Sequence, residues 1–259
     1  MNIHLTHIST ATLLLEIGSL RLLTDPVFDP AGGQYFFGYG THSIKLTEPA
    51  IRPEDLGQID AILLSHDHHE DNLDHAGRAL LAHVGKVITT VVGAKRLKDN
   101  AIGLRTWQST TIKADDIEIK ITTAPAHHGT LGSHLIVGET TGFILEWAGQ
   151  KHGALYISGD TVWFNGLSEI AQRFKIGTAI LHIGAARFPI MGPIRFTLNA
   201  KEAVQIVHAL KPQTVIPIHY EGWKHFKETG ATAGKIFEAS DIKEKVHWLK
   251  LGKSEELEA

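Results

Sequence analysis

Cysteine is absent from the 259 residues, which excludes disulfides, thiolate metal ligands and a thiol nucleophile together. The chain has no run of about 18 apolar residues, the length a membrane-spanning helix needs. Its mean hydropathy is -0.03. Charge of one sign is not in excess: 25 Lys and Arg stand against 28 Asp and Glu, a net of -3 with histidine neutral. Whole-chain attraction to nucleic acid or to an anionic membrane surface is therefore not expected. Residues Met1 to Thr10 hold no Lys or Arg and lack the basic, apolar and small-residue order of an export signal, so a cytoplasmic location is expected. No repeat, low-complexity tract or Gly/Ser linker divides the chain, and residues 1–259 read as one domain. No heptads or interface stripe stand out, so a homo-oligomer is compatible with the sequence but not specified by it.

What is plentiful is histidine, with 17 residues against 10 Phe and 4 Tyr. The chain around them alternates strand and helix patterns. Ile3 to Ile8, Thr12 to Ile17 and Leu20 to Thr24 read as successive strands with a turn at Gly18-Ser19. The contiguous apolar run Ile59 to Ser65 reads as a strand buried on both faces, followed by a helix from Leu73 to His83 and a strand from Lys86 to Val92. Further strands are expected at Asp116 to Thr122, Ser133 to Val137, Gly142 to Trp147, Ala154 to Ser158, Thr178 to Ile183 and Thr214 to Ile218. Asn199 with Glu202 predicts a capping box that opens a helix over Ala200 to Leu210, which Pro212 stops, and helical segments are expected beyond Trp223. Residues Asp29 to Thr47 carry too many turn formers for a regular element. They read as a loop, either folded over the core or covering a substrate. Many strands interspersed with helices predict two sheets with helices packed outside, an α/β architecture.

The densest chemical signal is Ser65-His66-Asp67-His68-His69-Glu70-Asp71-Asn72-Leu73-Asp74, where imidazoles and carboxylates crowd a strand-to-helix turn. Nitrogen and oxygen donors this close suit Zn, Mn or Fe. Three later segments each place a candidate ligand just past a strand: His127-His128, Asp160 and His219. Singly, Asp160 reads as a helix cap and His219 as a core histidine. Together, strand ends are where distant parts of a chain converge on one site.

In order and spacing these segments resemble the metallo-β-lactamase superfamily: Leu23-Thr24-Asp25-Pro26, the His66 cluster, His128, Asp160 and His219. The stretches Thr24-Asp25-Pro26-Val27-Phe28, Pro125-Ala126-His127-His128 and Ile218-His219-Tyr220 are similar to the branch containing ascorbate-6-phosphate lactonase and an N-acyl phospholipid phosphodiesterase. The resemblance implies a four-layer αββα sandwich with one or two divalent ions, Zn or Mn, at the edge between the sheets. The family pattern His-x-His-x-Asp-His fits here only with a one-residue insertion, which leaves both His68 and His69 as the second imidazole. By that resemblance, His66, His68 or His69, and His128 hold the first ion, Asp71 and His219 the second, and Asp160 bridges them. Asn72 stands where the family has a histidine, so the second position is the weaker. Asp25, His127 and His182 are expected to support the ligands through hydrogen bonds, and His7 has a similar place.

The implied activity is hydrolysis of a small ester, lactone or phosphodiester by metal-activated water, with Asp160 and Asp71 as the catalytic carboxylates. Arg187 and Arg195, in the loop from Gly184 to Phe196, are candidates to hold an anionic substrate group. Tyr220, Trp223 and His225 are candidate pocket walls. An iron-dependent redox enzyme and a non-catalytic metal-binding module are the alternative readings.

Overall fold

The computed structural model describes residues 2–129 and 137–259. Two sheets face each other. The first has the order β15-β1-β2-β3-β6-β7-β8, with β15 spanning Ser254–Glu258, and the second β14-β13-β12-β11-β10-β9. In the first sheet β1 (Asn2–Ser9), β2 (Thr12–Ile17) and β3 (Leu20–Thr24) form an antiparallel meander. It continues in parallel through β6 (Ala61–Leu63), β7 (Lys86–Thr90) and β8 (Ala101–Leu104). In the second, β9 (Ser109–Lys113), β10 (Glu118–Ala124), β11 (Gly142–Trp147) and β12 (Ala154–Ile157) run antiparallel, and β13 (Ile176–His182) and β14 (Thr214–Ile218) join in parallel.

Period-two alternation sorts the side chains into layers. Leu13 and Leu15 of β2, Ile119 and Ile121 of β10, and Phe143 and Leu145 of β11 meet in the core between the sheets. The intervening residues point outward. Leu14, Leu23 and Ile62 pack with Leu73 and Leu81 below the first sheet. Ile144, Tyr156 and Leu181 pack under Ile206 and Val207 of a helix outside the second. The result is the four-layer αββα arrangement. Its α-helices among the described residues include α1 (His75–Leu80), α2 (Val91–Leu97), α3 (Ser168–Arg173), α4 (Ala200–Leu210) and α5 (Gly230–Glu238). The capping box on α4 is present: Asn199 accepts from the Glu202 amide and Glu202 accepts from the Asn199 amide. Among the described residues no helix is long and apolar enough to cross a membrane.

Several expectations need correction. The stretch 29–47 is not irregular throughout, because β4 (Gln34–Phe36) and β5 (His42–Ile44) pair as a small hairpin. The strand expected over 86–92 stops at Thr90, whose side chain caps α2 by accepting from the Gly93 amide. The helix expected over 73–83 begins at His75, with Asp74 as its cap, and its last turn tightens to a 3-10 turn at Leu81–His83. Strands β8, β9 and β15 (Ser254–Glu258) had no counterpart in the sequence reading. The strand expected over 133–137 lies, but for Val137, outside the described residues.

Candidate metal centre

The site lies where strands of both sheets end. Asp25, directly after β3, adopts a left-handed backbone with φ 31°, and its Oδ1 accepts the Ser65 amide at 2.7 Å. That bond fixes the start of the histidine loop behind β6. Burial pushes the Asp25 carboxyl well above the usual carboxylate range. Ser65 Oγ lies 2.9 Å from His66 Nδ1, which turns His66 Nε2 toward His69 Nδ1 at 3.2 Å. From the second sheet, His128 Nδ1 donates to the Phe196 carbonyl at 2.9 Å, and its Nε2 meets the same His69 Nδ1 at 2.9 Å. Burial holds His66 and His69 well below, and His128 below, the ordinary imidazole pKa. A neutral His128 that has committed Nδ1–H to Phe196 presents a lone pair at Nε2. Three ring nitrogens therefore converge within 4.8 Å of one another.

A second cluster adjoins the first. Gly159, with φ 58°, lets the chain turn behind β12, where a Cβ would sit 2.4 Å from the Thr141 carbonyl oxygen. Asp160 follows, and its Oδ1 accepts from His182 Nδ1 at 3.0 Å. His219, held by its amide on the Thr10 carbonyl, points Nε2 at Asp71 Oδ2 and Asp160 Oδ1, both at 3.5 Å. His182 Nε2 and His219 Nε2 are buried without a hydrogen-bond partner, a costly state unless something else satisfies them. Burial opposes the charged form of His219, but Asp160 and Asp71 outweigh it and push its pKa up to about 9. The imidazoles around Asp71 and Asp160 hold both carboxyls below the usual range despite burial. Asn72 joins the two halves. In the amide orientation that suits its neighbours, its nitrogen donates to Asp71 Oδ1 at 3.3 Å and Asp160 Oδ2 at 3.2 Å.

The residues singled out in the sequence thus divide. His66, His69 and His128 converge, as do Asp160, His182 and His219, with Asp71 beside the latter. His68 turns away, its Nε2 directed to the Val137 carbonyl. His127 lays its ring on Phe164, with centroids 3.8 Å apart, and anchors its backbone to Thr161. His7 Nε2 bonds the Thr10 carbonyl at 3.1 Å, and burial lowers its pKa to about 4. Arg187 is exposed, and the Arg195 guanidinium is taken by both Glu202 oxygens at 2.6 and 2.7 Å. Tyr220 packs edge-on against Trp248. None of these last three lines the cavity that opens onto His69, Asp71 and His128.

His225 does line it, and sequence reasoning had given it no chemistry. Its Nε2 is 3.0 Å from Asp71 Oδ2 and its Nδ1 2.7 Å from Ser43 Oγ of β5. Behind the loop, Asp74 caps α1 and forms a fully buried ion pair with Lys45 at 3.1 Å.

Comparison with known proteins places this fold in a class. The family described as Beta-lactamase superfamily domain matches residues 20–220, and the chain belongs to the metallo-β-lactamase superfamily. It is 31% identical over 264 residues to a UPF0173 metal-dependent hydrolase of Pelotomaculum thermopropionicum, covering 97% of this chain and 99% of that one. In structure it is similar to an isothiocyanate hydrolase from Delia radicum gut bacteria, with TM-score 0.83, 21% identity and 99% and 100% of the two chains covered. It is also similar to Igni18, a metallo hydrolase from Ignicoccus hospitalis, with TM-score 0.71, 20% identity and both chains covered in full.

Proposed function

We propose that the protein is a metal-dependent hydrolase that directs water at a small ester, lactone or phosphodiester. The observation that carries this reading is the convergence of His66, His69 and His128, three imidazoles kept unprotonated by burial, beside the ionised Asp71 and Asp160. The donor set fits a divalent cation: ring nitrogens of His66, His69 and His128 lie within 4.8 Å of one another, and the buried His182 Nε2 next to Asp160 has no hydrogen-bond partner. His66, His69, His128 and Asp160 would hold one ion, and Asp71, Asp160 and His219 a second. Mixed imidazole and carboxylate donors suit Zn or Mn. A divalent ion supplies a Lewis acid for an acyl or phosphoryl oxygen and lowers the pKa of water toward about 7.

The remaining work belongs to the chain. Asp160, kept ionised by the imidazoles around it, orients the attacking water and receives its proton. His182 holds Asp160 through Nδ1, and His225 and Asn72 hold Asp71 on opposite oxygens. Asp25 fixes the histidine loop from behind. The names of the Pelotomaculum relative and of the two structural neighbours, all hydrolases, support the reaction type.

The test couples elemental analysis of freshly purified protein to a panel of lactones, esters and phosphodiesters, with and without a chelator. His128→Ala and His219→Ala should each lower both metal content and turnover. Full activity in either variant contradicts the assignment.

A further inference from the structure

Resting on the hydrolase reading, we infer that the substrate is a neutral ester or lactone with an apolar aryl or short alkyl group, and not an anion. The cavity onto His69, Asp71 and His128 is walled by Phe37, Val137, Ala186, Phe188, Met191 and Phe196. Most of these belong to one hydrophobic cluster anchored on the buried Trp223, so the wall is part of a packed core and not a set of loose side chains. The enclosed part of the cavity is about 20 Å³, space on the scale of a water molecule, and the remainder opens to solvent. At its mouth Tyr39 and Ile190 are 64% and 70% exposed. A methyl group on Gly40, at the hairpin tip, would lie 3.8 Å from Ile190 Cδ1, so the hairpin and the 189–191 turn meet there.

Among the described residues that line this wall there is no Lys or Arg. Arg195 is committed to Glu202 and Lys45 to Asp74. An anionic group seated against the aromatic wall would lose its hydration with no cationic side chain among the described lining residues to replace it. Desolvation without a partner disfavours that. A neutral aryl or alkyl group gains by burial in the same place. In the reaction the water oxygen bonds to the acyl carbon and the ester C–O bond breaks. The leaving alcohol takes a proton given up by the water, and the products are an alcohol and a carboxylic acid, which ionises. That product is itself an anion in an apolar cavity, which favours its release.

The experiment uses the metal-loaded protein, with metal content measured first. Turnover of phenyl butyrate is compared with that of its anionic counterpart 4-butyryloxybenzoate and of bis(4-nitrophenyl) phosphate. Binding of acetophenone and of benzoate is followed by calorimetry. The neutral ester should have a kcat/KM at least about 100-fold above either anion, and acetophenone should bind where benzoate does not. Phe188→Ala should raise KM for phenyl butyrate about tenfold, as the loss of a buried aromatic contact predicts. Met191→Lys should shift the preference at least about tenfold toward 4-butyryloxybenzoate with unchanged metal content. Equal or faster turnover of the anions by the unaltered protein overturns the substrate class and leaves the hydrolase reading standing. Binding of acetophenone in preference to benzoate, with none of the esters, lactones and phosphodiesters turned over, supports the apolar pocket and overturns the hydrolase reading.

Discussion

Replacing Asp74 by alanine removes three interactions from a fully buried point behind the candidate metal centre. Its Oδ1 accepts the Gly77 amide at 2.9 Å and caps α1. Its Oδ2 accepts the Asp29 amide at 2.6 Å and the Lys45 ammonium at 3.1 Å. Both side chains of the ion pair are 0% exposed, and burial already pushes the Lys45 ammonium below its ordinary pKa. Breaking a buried pair from one side costs about 3 to 5 kcal/mol, because the other charge stays buried. Loss of the cap costs about 1 kcal/mol. The two losses share one side chain, so the sum is taken as about 4 to 5 kcal/mol, which in a chain of this size lowers Tm by roughly 8 to 20 °C. Lys45→Met, which removes the cation but leaves Asp74 its two amide donors, should cost only about 1 to 3 kcal/mol. The double variant Lys45→Met/Asp74→Asn should be more stable than Asp74→Ala. Thermal melts at fixed protein and metal concentration measure all three. A Tm for Asp74→Ala within about 2 °C of the unaltered protein, less than 1 kcal/mol should give, would refute the reasoning. Because Asp74 follows Asp71 by three residues, the same variant should also lose metal at temperatures where it remains folded.

Other consequences can be checked separately. A Cβ on Gly77 would lie 1.9 Å from the Pro26 carbonyl oxygen, a clash with backbone that cannot rotate away, so Gly77→Ala should fail to accumulate as folded protein in expression and circular-dichroism assays. Asn199→Ala deletes the capping box of α4, remote from the imidazoles. It should cost about 1 kcal/mol and roughly 2 to 4 °C in Tm, with metal content unchanged by elemental analysis. His69→Gln should lower metal content several-fold, whereas His68→Gln, altering a ring that bonds the Val137 carbonyl, should retain most of it. The reverse order would transfer the ligand role to His68.

The strands with regular alternation were legible in the sequence. Thr12–Ile17 and Leu20–Thr24 appear with their expected bounds because every second residue enters the core between the sheets. Strands outside that pattern were not. In β15 the residues Ser-Glu-Glu-Leu-Glu pair along the edge of β1 with three of the five exposed, so acidic residues guard an open edge and disguise the strand. In β8 a Cβ on Gly103 would lie 2.8 Å from the Val91 Cα, so close packing of α2 placed a strand-weakening residue inside a strand. At the site, His66, His128, Asp160 and His219 could be picked out because each follows a strand. The choice between His68 and His69 could not be made, since it depends on how an extra residue is absorbed in the turn. His225 is 154 residues from Asp71, and only the folded chain brings them together. Arg187 and Tyr220 were singled out by proximity in sequence to the site, but one faces solvent and the other packs on Trp248.

The most direct test of the metal centre is a crystal structure of protein loaded with zinc or manganese, with anomalous diffraction recorded at the edge of that metal. Peaks are expected among His66 Nε2, His69 Nδ1, His128 Nε2 and Asp160, and between Asp160, Asp71 and His219 Nε2. Density coordinated by His68 in place of His69, or no peak at these imidazoles in protein saturated with either ion, would contradict it.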